Sequence, residues 1–188
     1  MISRRHMLAG SAAAIAFRPA SSRAEAILTD DGLYRQPWFL DSLLELSDDL
    51  SSATAGKKRF AVLWELRGCP YCKQMHEVNF GKPEIEAFVK DRFDILQLNI
   101  IGAREVTDFD GEKLSEKRLA AKYGIRGTPT FQFFPDHSAA LAGKKPAERE
   151  VARLHGYVEP APFLATFRYV AERAYEKGSR GDVLKGKS

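Results

Sequence analysis

The segment RFAVLWELRGCPYC, residues 59–72, leaves few folds open to the chain. Its first part, Arg59 to Leu66, is a short apolar run that fits a buried strand. The chain then passes through Arg67 and Gly68 into Cys69-Pro70-Tyr71-Cys72, and the residues that follow read as a helix, with Met75 and Val78 on its inner side. Proline suits the first helical turn because its missing N–H would have had no partner there. The spacing therefore predicts a buried strand, a tight turn, and a helix whose mouth carries Cys69 with Cys72 one turn further in.

The other elements fit around that unit. QPWFLDSLLELSDDLSSATAGKK (36–58) places Trp38, Leu40, Leu43, Leu44 and Leu46 at roughly helical spacing, with Gly56 behind. Pro83 suits a helix start, and Ile85, Phe88 and Val89 share a face. FDILQLNII (93–101) reads as a strand. Residues 102–114 are polar, with an Asp110-Gly111 turn signal, and read as an inserted loop. Ser115 is a fitting N-cap for a helix carrying Leu119 and Tyr123. PTFQFF and REVARLHGYV read as paired strands across a loop containing Pro135, Asp136 and Gly143. PAPFLATFRYVAERAYEK reads as a long amphipathic helix with Phe163, Phe167, Val170 and Ala174 on one stripe. This order predicts an α/β protein with a mixed central sheet and helices on both faces.

Charge enters mainly to exclude a function. The chain of 188 residues has a net charge of +4, but residues 1–26 hold Arg4, Arg5, Arg18 and Arg23 against Glu25 alone, and the remainder is close to neutral at +1. A basic leader is not a basic patch, so nucleic-acid binding is not expected. The leader has a charged start at Arg4-Arg5, a mildly apolar Met7–Phe17 stretch, and small residues around Ala24-Glu25-Ala26. That is the build of an export signal, and Ser3-Arg4-Arg5 followed by Leu8 resembles the twin-arginine type. Eleven residues are too few to span a bilayer. The expected organisation is an export signal over 1–26, one domain over 27–178 and a disordered tail over 179–188, with a periplasmic, monomeric product.

Only two cysteines exist, and three chemistries compete for them. A structural disulfide closing two intervening residues would remove little unfolded-state entropy. A zinc site needs four ligands, and Cys69, Cys72 and His76, four residues beyond Cys72, supply three at most; a lone helical histidine of this kind is expected to be exposed. A redox pair accounts for more. At a helix N-terminus the unpaired N–H groups favour thiolate over thiol. Cys69 is then the nucleophile, and Cys72, further inside, is the thiol that resolves a mixed disulfide. Lys73 adds a nearby positive charge.

A second motif lies far downstream, in GIRGTPTFQFF, where Thr128-Pro129 precedes a strand. Position alone reads Pro129 as a proline opening a strand. Taken together, the strand, the Cys69-Pro70-Tyr71-Cys72 helix mouth and Thr128-Pro129-Thr130 before a hairpin resemble the thioredoxin superfamily over about residues 36–177. The resemblance implies a thioredoxin-like fold, thiol–disulfide oxidoreductase activity, no organic cofactor beyond the Cys69–Cys72 redox-active disulfide, and a cis bond at Pro129. It also implies that Thr128, Pro129 and Tyr71 border a docking edge for an extended substrate strand. RGCPYCKQMH and VTDFDGEKLSEKRLAAKYGIRGTPTFQFF resemble, more narrowly, the periplasmic thioredoxins of bacterial sulfur-oxidation systems. That implies a sulfur-carrier protein as the partner whose disulfide is reduced, and a membrane thiol carrier as electron donor.

Departures from the family pattern matter. Thioredoxins carry a buried acid six residues before the first cysteine, where this chain has Leu63. Glu65, two residues on, shares the strand face of Leu63; it is either a proton relay for Cys72 or a strand-end carboxylate reaching solvent. Gly68 stands where thioredoxins usually have tryptophan, and Trp64 belongs either to the site or to the core. The CPYC sequence resembles glutaredoxins, which keeps glutathione-dependent reduction open, with Arg67, Lys73 and Arg126 as candidate carboxylate partners. A thiol-based metal carrier is the remaining alternative.

Overall fold

The computed structural model describes residues 26–178; the expected tail, and the leader apart from Ala26, lie outside the described residues. Two short strands, β1 (Ile27–Leu28) and β2 (Tyr34–Arg35), pair antiparallel ahead of helix α1 (Leu46–Ala55). Strand β3 (Arg59–Glu65) leads into α2 (Pro70–Gln74), which runs on as one π-helical turn (Met75–Asn79). Helix α3 (Pro83–Arg92) and strand β4 (Phe93–Asn99) follow, then strands β5 (Glu105–Thr107) and β6 (Lys113–Ser115), and helix α4 (Glu116–Lys122). The chain ends its fold with β7 (Thr130–Phe133), β8 (Ala152–His155) and α5 (Pro160–Ala171).

The main sheet has the order β4-β3-β7-β8, with β3 parallel to β4 and antiparallel to β7, and β7 antiparallel to β8. This is the mixed α/β sheet that the sequence predicts. Every residue of β3 from Phe60 to Glu65 is buried, because each face carries its own core. Ala61 and Leu63 meet Phe131, Phe133, Phe163 and Phe167 from α5 and its neighbours. Phe60, Val62 and Trp64 meet Leu46 and Leu50 of α1 and Leu119 of α4 on the other face. The first face is fastened by edge-on aromatic contacts, Phe93–Phe167 at 4.9 Å and Phe80–Phe163 at 5.3 Å between ring centroids.

Three sequence expectations are corrected. Residues 36–45 are not helical. Leu44 adopts a left-handed φ of 65°, its N–H is taken by the Ser42 hydroxyl at 2.7 Å, and Glu45 bridges to Thr107. The leucines and aromatics there go to different places: Trp38 and Phe39 pack edge-on against Phe80, while Leu43 is 93% exposed. Their helical spacing is incidental. The C-terminal helix also stops at Ala171, with Arg173 at a φ of 53°; only a short 3-10 turn carries Ala174 onward.

The polar insertion, read from the sequence as a loop, carries a hairpin of β5 paired with β6. Two short strands offer only Val106 and Leu114 to the core, too little apolar pattern to read as strands. Charge supplies the rest of the anchorage. The buried carboxylate of Asp108 accepts from Tyr123 Oη (2.7 Å), Lys122 Nζ (2.5 Å) and Arg149 Nη1 (2.9 Å), and Arg149 Nη2 also reaches Asp110 at 2.8 Å.

Partial burial opposes ionisation of Asp110, but hydrogen bonds from Lys122 and Arg149 outweigh it and hold the carboxyl well below the usual carboxylate range. A depressed folded-state value stabilises the fold above the unfolded carboxylate range, and that contribution is lost as pH falls. The wild type should therefore lose stability more steeply than Asp110→Asn below about pH 4 in denaturant titrations. Arg149→Met, which leaves the Asp108 carboxylate short of a partner, should cost about 3 kcal/mol; equal unfolding midpoints would contradict the anchorage.

Candidate active site

The turn that joins β3 to α2 needs a residue at positive φ. Gly68 takes it at 73° and sets Cys69 at the helix mouth; an L-residue would be strained there. Cys69 is itself the N-cap of α2: its Sγ accepts the N–H of Cys72 at 3.1 Å, and Pro70 occupies the first helical turn. The Thr128 hydroxyl donates to the same sulfur from 3.3 Å, and the Thr128 carbonyl lies 3.6 Å from it. Two donors and one acceptor thus surround the Cys69 sulfur. Both cysteines are free thiols, Cys69 half-buried and Cys72 buried.

The structure brings the two distant motifs together on this sulfur. The Thr128–Pro129 peptide bond is cis. The Pro129 carbonyl accepts from Gly156 N–H at 2.8 Å, tying the loop to the end of β8, while the Thr128 N–H donates to no backbone carbonyl among the described residues. Tyr71 stands 58% exposed next to the cysteines.

Burial pushes the Cys72 thiol far above its ordinary value, and the Glu65 carboxylate and the Cys69 sulfur add to that shift. The carboxylate is fully buried, so the alternative of a solvent-reaching strand end is corrected: Glu65 faces inward on the Leu63 side of β3. His76 Nε2 lies 3.1 and 3.2 Å from its two oxygens. Gln97 Nε2 donates to it through a short hydrogen bond and also donates to the Tyr34 carbonyl at 2.6 Å. Gln36 Nε2 lies 3.2 Å from the other histidine nitrogen, Nδ1.

His76 is thus buried, not the exposed helical residue expected from its position. The inward stripe is Cys72, Met75, His76, Asn79 and Phe80, the i, i+3, i+4, i+7, i+8 spacing of a buried helix face. Val78 is off that stripe and 38% exposed. Anchoring the helix on its apolar residues selects Val78, because two inward positions are polar. With both ring nitrogens facing Glu65 and Gln36, His76 does not join the cysteines as a third metal ligand.

The other nominated residues are elsewhere. Trp64 is core: it lies on the opposite face of β3 and donates Nε1–H to Gln132 Oε1 at 2.7 Å. The Arg67 stem closes over Gly32, where a Cβ would come within 2.7 Å of it. Lys73 pairs with Glu77 at 3.6 Å, and Arg126 is exposed. Sequence reasoning missed the Thr128 hydroxyl, Gln36 and Gln97. Only Gln97 leaves a trace, as a polar side chain two residues after Ile95 on a buried strand face.

Comparison with known proteins agrees with this geometry. Residues 46–171 match the family described as the thioredoxin-like domain, and the chain belongs to that family. Its fold is shared with a thioredoxin-fold protein from Helicobacter pylori, at 21% identity and a TM-score of 0.54, over 70% of this chain and 80% of that one. A thioredoxin from Thermus thermophilus is 29% identical over 65% of this chain and 81% of its own, with a TM-score of 0.47. The C-terminal domain of DsbD from Neisseria meningitidis is 19% identical, over 70% and 97%, with a TM-score of 0.45. Comparison with curated protein sequences gave no significant match.

Thr128→Val removes the hydroxyl donor while keeping the side-chain volume. Loss of one such hydrogen bond should slow iodoacetamide alkylation of Cys69 at neutral pH by roughly three- to tenfold, with Thr128→Ser close to wild type. An unchanged rate in Thr128→Val would show that the hydroxyl does nothing for the sulfur.

Proposed function

We propose that this protein is a thiol–disulfide oxidoreductase that is exported to the periplasm, works there as a monomer, and reduces the disulfide of a partner protein. The observation that carries the reading is the paired setting of the two thiols: a half-buried Cys69 held by the Cys72 N–H and the Thr128 hydroxyl, above a buried Cys72. The basic, alanine-rich leader supports export.

The chemistry follows from that asymmetry. The Cys69 thiolate attacks one sulfur of the substrate disulfide, and the other leaves as a thiolate that takes a proton from water. Cys72 then loses its proton to Glu65 and attacks Cys69 Sγ. The substrate–Cys69 bond breaks, the second substrate sulfur leaves as a thiolate, and the Cys69–Cys72 disulfide carries the two electrons' worth of oxidation. Cys72 needs a local base because its thiol is held so strongly protonated, and Glu65 is the buried carboxylate that bears on it. Thr128, with its free N–H, and the cis Pro129 beside it offer an extended substrate strand a backbone partner, and exposed Tyr71 offers it an apolar ring.

The narrower assignment is to sulfur oxidation, with a sulfur-carrier protein as substrate and a membrane thiol carrier returning the electrons. It rests on the likeness of RGCPYCKQMH and of the stretch through Asp108-Phe109-Asp110-Gly111 to the thioredoxins of those systems. The alternative, glutathione-dependent reduction, rests on the CPYC sequence alone.

The test is capture. Cys72→Ala, expressed as the full precursor in its host, should accumulate mixed disulfides through Cys69 with periplasmic proteins, a sulfur carrier among them. Capture of many unrelated proteins would contradict the sulfur-oxidation assignment, glutathione alone would favour the glutaredoxin-like reading, and no adduct at all would sink the redox reading.

A further inference from the structure

The oxidoreductase reading uses Glu65 but leaves His76 and Gln36 unused. His76 is buried and enclosed by the rings of Tyr34, Phe39 and Phe80, at centroid distances of 6.3, 5.7 and 5.8 Å. Burying an imidazole in an aromatic enclosure is costly unless both nitrogens are partnered, and here they are, by Glu65 and Gln36. Around Glu65 itself the donors are His76 and the neutral amide of Gln97. Arg104 reaches only the Gln97 backbone carbonyl, at 3.2 Å, and spends its charge on Glu116 at 2.6 Å. Among the described residues, the titratable groups against the pair are Cys72 and Tyr34, and the carboxylate has no Lys or Arg ion-pair partner.

Gln36 adds the second observation. Its Oε1 is buried without a hydrogen-bond partner, while its Nε2 faces His76 Nδ1. A neutral ring that donates Nε2–H to Glu65 accepts at Nδ1 from the Gln36 amide nitrogen. The observed contact, with the amide nitrogen on Nδ1, is the one that a ring donating Nε2–H to Glu65 requires.

We propose that His76 is a positioning residue for the proposed resolving step, holding the Glu65 carboxylate toward Cys72 through Nε2–H, with the Gln36 amide fixing the ring from Nδ1, while Glu65 takes the proton that Cys72 gives up. This deepens the oxidoreductase reading and rests on it. In the step, Cys72 S–H breaks, its proton passes to Glu65, and the new S–S bond to Cys69 expels the substrate thiolate. The proton stays on Glu65, whose other lone pairs still accept from His76 and Gln97, until the disulfide is reduced again and Cys72 recovers it. The need for the arrangement is set by this chain's own layout: with leucine at position 63, the acid sits at the last residue of β3, where His76 from the α2 stripe and Gln97 from β4 reach it.

The test uses a chromogenic aromatic disulfide, 5,5′-dithiobis(2-nitrobenzoate), with the intact reduced protein in stopped flow. One chromophore is released as Cys69 attacks, and the second as Cys72 resolves the adduct. His76→Gln should leave the first phase unchanged and slow the second by about tenfold near neutral pH, the scale of losing one hydrogen bond to a charged group. The loss should shrink at alkaline pH, where hydroxide deprotonates Cys72 directly. A second phase with wild-type rate and pH profile in a folded His76→Gln protein would overturn the proposal. A wild-type protein that shows no first phase would overturn the oxidoreductase reading instead. The wild type also gives an answer that needs no folded variant: the ¹⁵N resonances of the His76 ring should move between the dithiol and disulfide forms over one pH interval, and ring nitrogens indifferent to redox state would equally overturn it.

Discussion

Burial of strand β3 on both faces forces its last residue, Glu65, to find every partner inside the protein, and the layout of the site follows from that constraint. A carboxylate denied water must be met by donors. They arrive from three directions: Gln97 on the parallel neighbour β4, His76 on the helix that starts at the cysteines, and Gln36, through His76, from the segment before α1. Each donor fixes the element that carries it. The pairing of β3 with β4 is in register so that Leu63 lies beside Gln97 and Glu65 beside Asn99, which puts the amide within reach of the acid.

The two faces of the sheet serve different ends. On the α5 face, interlocking phenylalanines pack the helix that begins at Cys69 against the sheet, through Met75 and Phe80. Rings in edge-on contact have few alternative packings, so the polar cluster is held in a stiff frame. On the α1 face, the hairpin of β5 and β6 is fastened mainly by charge, through Asp108, Lys122 and Arg149. Asp108 is fully buried between Lys122 and Arg149, so removing either partner would leave a buried charge short of its balance. The hairpin therefore has a defined place on the domain, on the face away from Glu65.

Much of this was legible in the sequence where one residue type has one use. An apolar run with no alternation marks β3, Pro70 marks the start of α2, and Ser115 caps α4 as its hydroxyl suggests. Cys69 and Pro129 were found as motifs, and the fold joins them. What escaped the reading depends on tertiary context. Trp38 to Leu46 carry a helical pattern that strand bridging and a left-handed Leu44 override. His76 and Asn79 are polar residues on a buried stripe, so an apolar count turns the helix toward Val78. Gln36 joins the site across forty residues of sequence, and no local pattern announces such a contact.

The central claim is that Cys69 and Cys72 form one redox unit with unequal thiols. The direct measurement is mass spectrometry of the intact protein equilibrated across a series of dithiothreitol redox buffers, followed by brief alkylation of the reduced form. Reversible loss of two hydrogens at a single midpoint, with alkyl groups on Cys69 and almost none on Cys72, is the result this account predicts. Two thiols that alkylate at equal rates, or a protein that never loses the hydrogen pair, would contradict it.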